Sequence, residues 1–186
     1  MSATESRHQA WATKLNAQTR GTDMSTIHYS HTTTATPEQF IAALTDFGPG
    51  REKLFGKSAD GYLKVHSQGQ HDADVTEGSG GIWERLHYDW SDPNRVVLTV
   101  TDSNTFGGHS GYTYTFTRRP DGTTEVHVVN VREGKNLKGR VLALVLGTVG
   151  KSVLIKEFDK TIKAIEAANA AASPANSGPQ TSNTAS

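Results

Sequence analysis

The stretch from Tyr62 to Arg132 constrains the fold most, because it repeats one unit: a run of β-branched and aromatic residues followed by a short turn. The predicted strands are Tyr62–Gln70, Asp72–Thr76, Ile82–Trp90, Arg95–Asp102, Gly111–Arg118 and Thr124–Arg132. The connections are rich in Gly, Pro, Asn and Asp, which accept turn dihedral angles. Links this short join antiparallel neighbours, since a parallel crossover needs about a dozen residues or more. The sequence therefore predicts an antiparallel meander.

A further strand and two short helices are predicted before the meander. Thr26–Thr34 is rich in threonine and aromatic residues, which favours a strand. Thr36 is a suitable N-cap for a helix that starts at Pro37 and carries apolar residues at helical spacing. A second short helix is predicted from Arg51 to Phe55.

After Arg132 the apolar period becomes helical and predicts one long amphipathic helix, from about Leu137 to Ala168. The stripe expected to face the sheet consists of Leu144, Thr148, Lys151, Ile155, Phe158, Ile162 and Ile165. Gly147 and Gly150 predict a kink or a close backbone approach within this helix. Residues 141–149 are apolar almost all round, so this half of the helix needs more cover than a sheet provides.

The ends of the chain differ in composition from the part between them. Residues 1–24 are predicted to be a poorly ordered extension, residues 25–169 one domain, and residues 170–186 a disordered tail without large apolar side chains. Met24 is also a candidate for the true start of the chain. Nothing in the sequence itself decides that question.

Charge and composition exclude several classes of function. Nineteen basic residues balance nineteen acidic ones, so the chain has no net field that would attract nucleic acid or an anionic bilayer from a distance. The absence of cysteine excludes disulfides, a thiolate nucleophile and Cys-ligated metals. The longest apolar run stops at Lys151 and is about half the length of a membrane span. With no signal-peptide pattern at the N-terminus, a cytoplasmic protein is predicted.

The predicted order of elements, an α+β arrangement in which about seven antiparallel strands curve around a long C-terminal helix, is that of the helix-grip fold. Three stretches resemble the SRPBCC superfamily, which includes START lipid-transfer domains and bacterial polyketide cyclase/dehydrase proteins. The residues that carry the resemblance are Ala35–Phe47, Asp92–Val100, and Tyr112–Phe116 followed by Asp121–Thr123. The resemblance covers about residues 26 to 168. It implies a cavity between sheet and helix that binds a lipid, a polyketide or another hydrophobic small molecule, and it implies no catalytic residue set.

The candidate ligand-binding residues follow from the alternation of the strands. One face of three neighbouring strands is apolar with a few polar tips, as ligand pockets usually are. Plain core packing is the competing interpretation of the same face. The candidates are Glu84, Leu86, Tyr88, Trp90, Leu98, Val100, Tyr112, Tyr114 and Phe116 on the strands, Leu144, Thr148 and Lys151 on the long helix, and Phe47, Phe55 and the turn Asn104–Gly108 at the mouth. Glu84 and Lys151 are expected to meet a polar end of the ligand or to pair with each other.

No metal site, no cofactor and no catalytic residue is predicted. The closest histidine pair, His28 and His31, would point to opposite faces of a strand. Three functions stay open: a carrier or sensor of a hydrophobic ligand, a cyclase or dehydratase using Glu84, Asp102 or a tyrosine hydroxyl, and an interaction module. In the last of these, residues 141–149 would dock on another protein or form a homodimer.

Overall fold

The computed structural model describes residues 24–55 and 62–172. It contains one seven-stranded antiparallel sheet in the order β1-β7-β6-β5-β4-β3-β2. The strands are β1 (Met24–Thr33), β2 (Tyr62–Gln68), β3 (Asp72–Ser79), β4 (Ile82–Asp89), β5 (Arg95–Ser103), β6 (Gly111–Arg118) and β7 (Thr124–Glu133). Consecutive strands from β2 to β7 are hydrogen-bonded neighbours, which confirms the predicted meander. The first strand, β1, then pairs with the last.

Four helices complete the described part of the chain: α1 (Pro37–Thr45), α2 (Arg51–Phe55), α3 (Leu137–Gly147) and α4 (Lys151–Ala172). The predicted N-cap of α1 is a full capping box. The Thr36 hydroxyl accepts from the Gln39 backbone N–H at 3.3 Å, and the Gln39 side chain accepts from the Thr36 N–H at 2.9 Å. Because α4 ends at Ala172, residues 170–172 of the predicted tail are helical; the rest of that tail, and residues 1–23 of the predicted extension, lie outside the described residues.

The kink predicted at the two glycines is a complete break between α3 and α4, so the prediction of one continuous helix was wrong. The backbone N–H groups of Thr148 and Gly150 both donate to the Val145 carbonyl, at 3.2 and 2.9 Å, which ends α3. At Gly147 the helix passes so close to β1 that an added Cβ would lie 2.8 Å from the Ser25 Cβ. The glycine is therefore required by a close approach, as the sequence suggested.

The hydrophobic core lies between the concave face of the sheet and α4. Alternate residues of each strand point to this face, and those of the central strands are almost fully buried, as are Phe158, Ile162 and Ile165 of α4. Two polar contacts fix the helix on β1: His31 pairs with Asp159 at 2.9 Å, and Thr33 donates to Glu166 at 2.8 Å. The second half of the predicted stripe thus faces the sheet, as expected.

The first half of the predicted stripe does not face the sheet. Leu144, Thr148 and Lys151 are exposed, because the break reorients the chain and α3 packs through Gly139 and Ala143 instead. Gly139 lies against the Thr105 carbonyl, which an added Cβ would approach to 2.1 Å. The helix α3 therefore runs from the loop after β5 to the start of β1. No helix within residues 24–55 and 62–172 is long and apolar enough to span a membrane.

Candidate functional site

Two buried arginines organise the polar atoms beneath the helices, and the first of them, Arg51, is fully engaged. Its guanidinium donates to Glu77 at 3.0 Å, to the Tyr88 hydroxyl at 3.1 Å, and to the backbone carbonyls of Leu44 and Asp46, both at 2.9 Å. The same group lies over the rings of Phe47 and Phe55, 4.9 and 4.5 Å from their centroids. This arginine ties α1, α2, β3 and β4 together.

The second arginine, Arg132 of β7, is engaged much less completely. Its Nη1 donates to Glu84 Oε1 at 2.6 Å, and its guanidinium lies 4.2 Å from the Tyr112 ring centroid and 4.8 Å from that of Phe106. Within the described residues, Glu84 is the only group that accepts a hydrogen bond from this side chain. The arginine is only 3% exposed. A buried guanidinium with N–H groups left over has capacity for a further acceptor.

Further polar atoms near this arginine lack partners. Asn130 lies two residues before Arg132 on the same face of β7, is 1% exposed, and its Oδ1 accepts no hydrogen bond within the described residues. The Oγ of Ser25, on the neighbouring strand β1 and paired in register with Arg132, is also buried without a partner there. Unpaired buried polar atoms are costly, so their grouping at one place calls for an explanation.

Two tyrosines of β6 on the concave face are less buried than their neighbours. Tyr112 and Tyr114 lie on the concave face of β6, in the middle of the sheet, and Tyr114 lies 6.3 Å from the Phe158 ring of α4. Both are nevertheless only partly buried, unlike Phe116 on the same strand face. Part of each of these two side chains is therefore accessible to solvent, although both lie on the face that packs against α4.

Burial also changes the acidity of the inward-facing tyrosines. It raises the pKa of Tyr29 to about 12, an effect that the positive charge of Arg132 partly offsets. Burial likewise raises the pKa of Tyr114 and of Tyr88. These hydroxyls stay protonated at neutral pH. They can donate hydrogen bonds to a ligand oxygen, but they are poor general bases.

The structure brings most of the predicted strand residues together on the concave face. Those that lie there, buried or partly buried, are Glu84, Leu86, Tyr88, Leu98, Val100, Tyr112, Tyr114 and Phe116, with Trp90 partly buried beside them. Whether they contact a ligand stays a prediction. The Tyr88 hydroxyl, expected to be available, is already used by Arg51.

Three other expectations need correction. Leu144, Thr148 and Lys151 are exposed at the surface, and Glu84 pairs with Arg132 and not with Lys151. Phe47 and Phe55, expected at the mouth, stack on Arg51, and whether they also contact a ligand stays a prediction. Asp102, one of the candidate acids, lies outside: it is 55% exposed and Lys135 donates to it at 3.1 Å, a bond that lowers its pKa. An irregularity between Arg85 and Leu86 in the pairing of β4 with β5 places Ser103, not Asp102, opposite Glu84.

The turn Asn104–Gly108, also predicted at the mouth, is held by hydrogen bonds to neighbouring elements. The Asn104 side chain accepts from the Trp83 N–H at 3.1 Å and donates to the Gly81 carbonyl at 2.9 Å, while its own carbonyl accepts from Asn136 at 3.0 Å. Phe106 is buried and lies against Arg132. The turn therefore supplies a wall of the site.

Four residues that matter here were not among the candidates predicted from the sequence: Arg51, Arg132, Asn130 and Tyr29. A signal existed for two of them, because strict alternation along β7 places Asn130 and Arg132 on the same face as Val126 and Val128. Two polar residues that continue an apolar face indicate either the end of the core or a polar site. No comparable pattern marks Arg51, which stands in a helix of five residues.

Two surface hollows are present, and the second shares Val100 and Phe106 with the candidate site. One, of about 550 Å³, surrounds the tip of the β3–β4 hairpin and is lined by Tyr62, Thr76 and residues 78–83. The other, of about 300 Å³, lies between the end of β5 and Lys135. The first contains no charged side chain, so neither its polar groups nor its position match the Arg132 region. The described residues contain no cluster of three or more side chains suited to a metal ion.

Comparisons with known proteins agree with this architecture. No protein-family model and no curated protein sequence matches the chain. Among solved structures, it is similar to the Zhui aromatase/cyclase from Streptomyces sp. R1128, with a TM-score of 0.62, 13% identity and coverage of 83% of this chain and 99% of that one. It is also similar to a protein from Thermus thermophilus (TM-score 0.59, 15% identity, 80% and 99% coverage).

A third similar structure is a START superfamily protein from Mycobacterium smegmatis, with a TM-score of 0.56, 12% identity and coverage of 80% and 99%. Identities this low establish the fold and leave the ligand open. The structure and these similarities together show that the chain has the helix-grip fold of START-like and polyketide cyclase-like proteins.

Proposed function

We propose that the protein binds a hydrophobic small molecule between the concave face of the sheet and the helices, with an oxygen-bearing end of the molecule held by Arg132. The observation that carries the proposal is the unpartnered Oδ1 of Asn130 beside the buried Arg132, whose acceptor among the described residues is Glu84, with apolar and aromatic side chains around them. A few placed polar groups in an apolar pocket are the usual composition of a small-molecule site.

The chemistry of the ligand follows from the available donors and acceptors. Arg132 can donate to a carbonyl, hydroxyl or carboxylate oxygen, and Asn130 Oδ1 can accept from a hydroxyl. A hydroxyl satisfies both residues at once. The rings of Tyr112 and Phe106, which already hold the guanidinium, offer aromatic surface beside it. An aromatic or polycyclic body with a hydroxyl or carbonyl at one end fits these groups best.

Binding is better supported than catalysis by the groups present. The strongly shifted inward-facing groups are tyrosines whose pKa is raised, and a tyrosine that holds its proton this firmly is a weak acid and cannot serve as a base at neutral pH. Glu84 is held in an ion pair and Asp102 lies outside. The carrier or sensor interpretation therefore stands ahead of the cyclase or dehydratase.

The test uses naphthol and naphthalene as a matched pair of fluorescent probes that differ by one hydroxyl. We expect the protein to bind both and to prefer naphthol by about tenfold, the effect of one hydrogen bond to a charged group. The double variant Arg132→Met/Glu84→Gln, which removes the ion pair without leaving one charge behind, should lose this preference. The matched control is Lys151→Met, which removes an exposed charge and should change neither affinity. Equal affinity for the two probes in the parent protein would remove Arg132 from the proposal.

A further inference from the structure

The helix α3 presents an apolar stripe to solvent, the reverse of an ordinary surface helix. Leu137, Val141, Leu144 and Val145 recur at helical spacing and are between 42% and 77% exposed. The opposite side of the helix packs on the protein through Gly139 and Ala143. These four residues are called the α3 stripe below. Exposed apolar surface on this scale marks an interaction site.

The stripe continues onto neighbouring elements. Val149 and Val153, in the turn after α3 and the first turn of α4, are 75% and 60% exposed. At the other end of α3, its N-cap Asn136 is hydrogen-bonded to Asn104, which also holds Trp83, itself 38% exposed. The apolar surface formed by the α3 stripe, Val149 and Val153 is called the ridge below.

The charged residues within the segment that carries the ridge have one sign, although one of them, Lys135, pairs with Asp102 of β5. From residue 134 to residue 156 the sequence contains Lys135, Lys138, Arg140, Lys151 and Lys156 and no aspartate or glutamate. All five are exposed. Because successive residues of a helix turn by about 100°, Lys138 and Arg140 fall on opposite sides of the α3 stripe. Although the whole chain has no net charge, the segment that carries its most exposed apolar surface is basic.

We infer that the α3 stripe is a docking surface for an anionic lipid bilayer. Apolar side chains flanked by lysine and arginine are the arrangement with which interfacial segments bury a few ångströms into the headgroup region, where each nearby cation adds to the attraction of an anionic leaflet. A second copy of this chain is a poor occupant, because pairing two such ridges brings the basic groups of both copies together. Electrostatic attraction to the bilayer acts only within a Debye length of about 8–10 Å, so the local charge of the ridge, and not the net charge of the chain, determines binding.

The experiment measures co-sedimentation of the full-length protein with phosphatidylcholine vesicles, with and without phosphatidylglycerol. We expect binding to the phosphatidylglycerol vesicles that weakens with added salt. Val141→Glu should weaken it by at least tenfold, since it places a carboxylate at the centre of the stripe. Lys138→Glu should weaken it by about fivefold or more, the effect of one cation near an anionic surface. The matched control is Lys163→Glu, the same change at an exposed position of α4 far from the ridge.

Other results would overturn the inference. They are vesicle binding that does not depend on phosphatidylglycerol or on Val141, a dimer that Val141→Glu dissociates, and capture of an acidic protein partner in place of vesicles. A lower melting temperature of Val141→Glu without vesicles would also count against it, because it would mean that the stripe is covered within the chain. Naphthol binding by Val141→Glu should equal that of the parent protein, so failure here and failure of the proposed ligand site are separate outcomes.

Discussion

The two buried arginines differ in how completely the protein itself satisfies them. Arg51 has two carbonyls, a carboxylate and a hydroxyl as acceptors and two aromatic rings against its faces. Arg132 has similar burial and similar aromatic contact, but one carboxylate oxygen as its acceptor within the described residues. A buried charge with full partners is costly to disrupt, whereas one with spare donors has capacity to bind a further acceptor. The difference is the basis on which we propose a structural role for Arg51 and a ligand-binding role for Arg132.

The largest expected effect is on stability at Arg51. Arg51→Met leaves Glu77 and the Tyr88 hydroxyl without their partner, and breaking a buried ion pair in this way costs about 3–5 kcal/mol. Urea denaturation should show the loss as a lower midpoint. Arg118→Met is the control, because Arg118 and Glu38 form an ion pair at the surface whose removal should cost less than about 1 kcal/mol. Similar losses in the two variants would contradict the role of Arg51.

The second effect separates stability from binding at Arg132. The double variant Arg132→Met/Glu84→Gln replaces a buried ion pair by uncharged groups, which is often close to neutral in stability. We expect a change in the free energy of unfolding of about 1 kcal/mol or less, together with loss of the preference for naphthol over naphthalene. A loss as large as that of Arg51→Met would place both arginines in the same structural role and break the comparison.

A third prediction compares two hydroxyls. Tyr88→Phe removes an acceptor of Arg51 and should lower the free energy of unfolding by about 1 kcal/mol. Tyr114→Phe is the matched change on a hydroxyl that makes no hydrogen bond within the described residues, and it should be neutral to within a few tenths of a kcal/mol in the unliganded protein. Equal unfolding midpoints for Tyr88→Phe and the parent protein would show that the Arg51 network does not depend on this bond.

The smallest effect concerns the pKa of Tyr29, which burial raises to about 12 and the charge of Arg132 lowers in part. The phenolate absorbance of Tyr29, isolated by difference from a Tyr29→Phe variant, should move to higher pH in Arg132→Met. Since the folded-state pKa exceeds the unfolded-state value of about 10, Tyr29 contributes stability that is complete below about pH 10 and is lost as the pH rises towards 12. An unchanged absorbance curve would mean that the arginine does not act on the tyrosine.

Local sequence patterns predict the strands and their inward faces well. The alternation predicted around Leu86, Leu98 and Phe116 is present in the structure, because burial of one face determines which alternate residues of each strand point inward. Gly147 and Gly150 predict a kink at this place, but not that the break leaves Leu144 and Lys151 exposed. The pairing of Glu84 with Arg132 joins strands β4 and β7, which are separated by β5 and β6, so it depends on the curvature of the whole sheet. The alternation of each strand indicates that Glu84 and Arg132 face inward, but nothing in the sequence indicates that they form an ion pair.

The most direct test of the account is native mass spectrometry of the full-length protein purified from its own host, beside the Arg132→Met/Glu84→Gln variant prepared in the same way. The account predicts that the parent protein carries a non-covalent small molecule, carbon-rich and with at least one oxygen, and that the folded variant carries much less of it. A parent protein that is free of ligand, and that also fails to bind naphthol or naphthalene, would contradict the central claim.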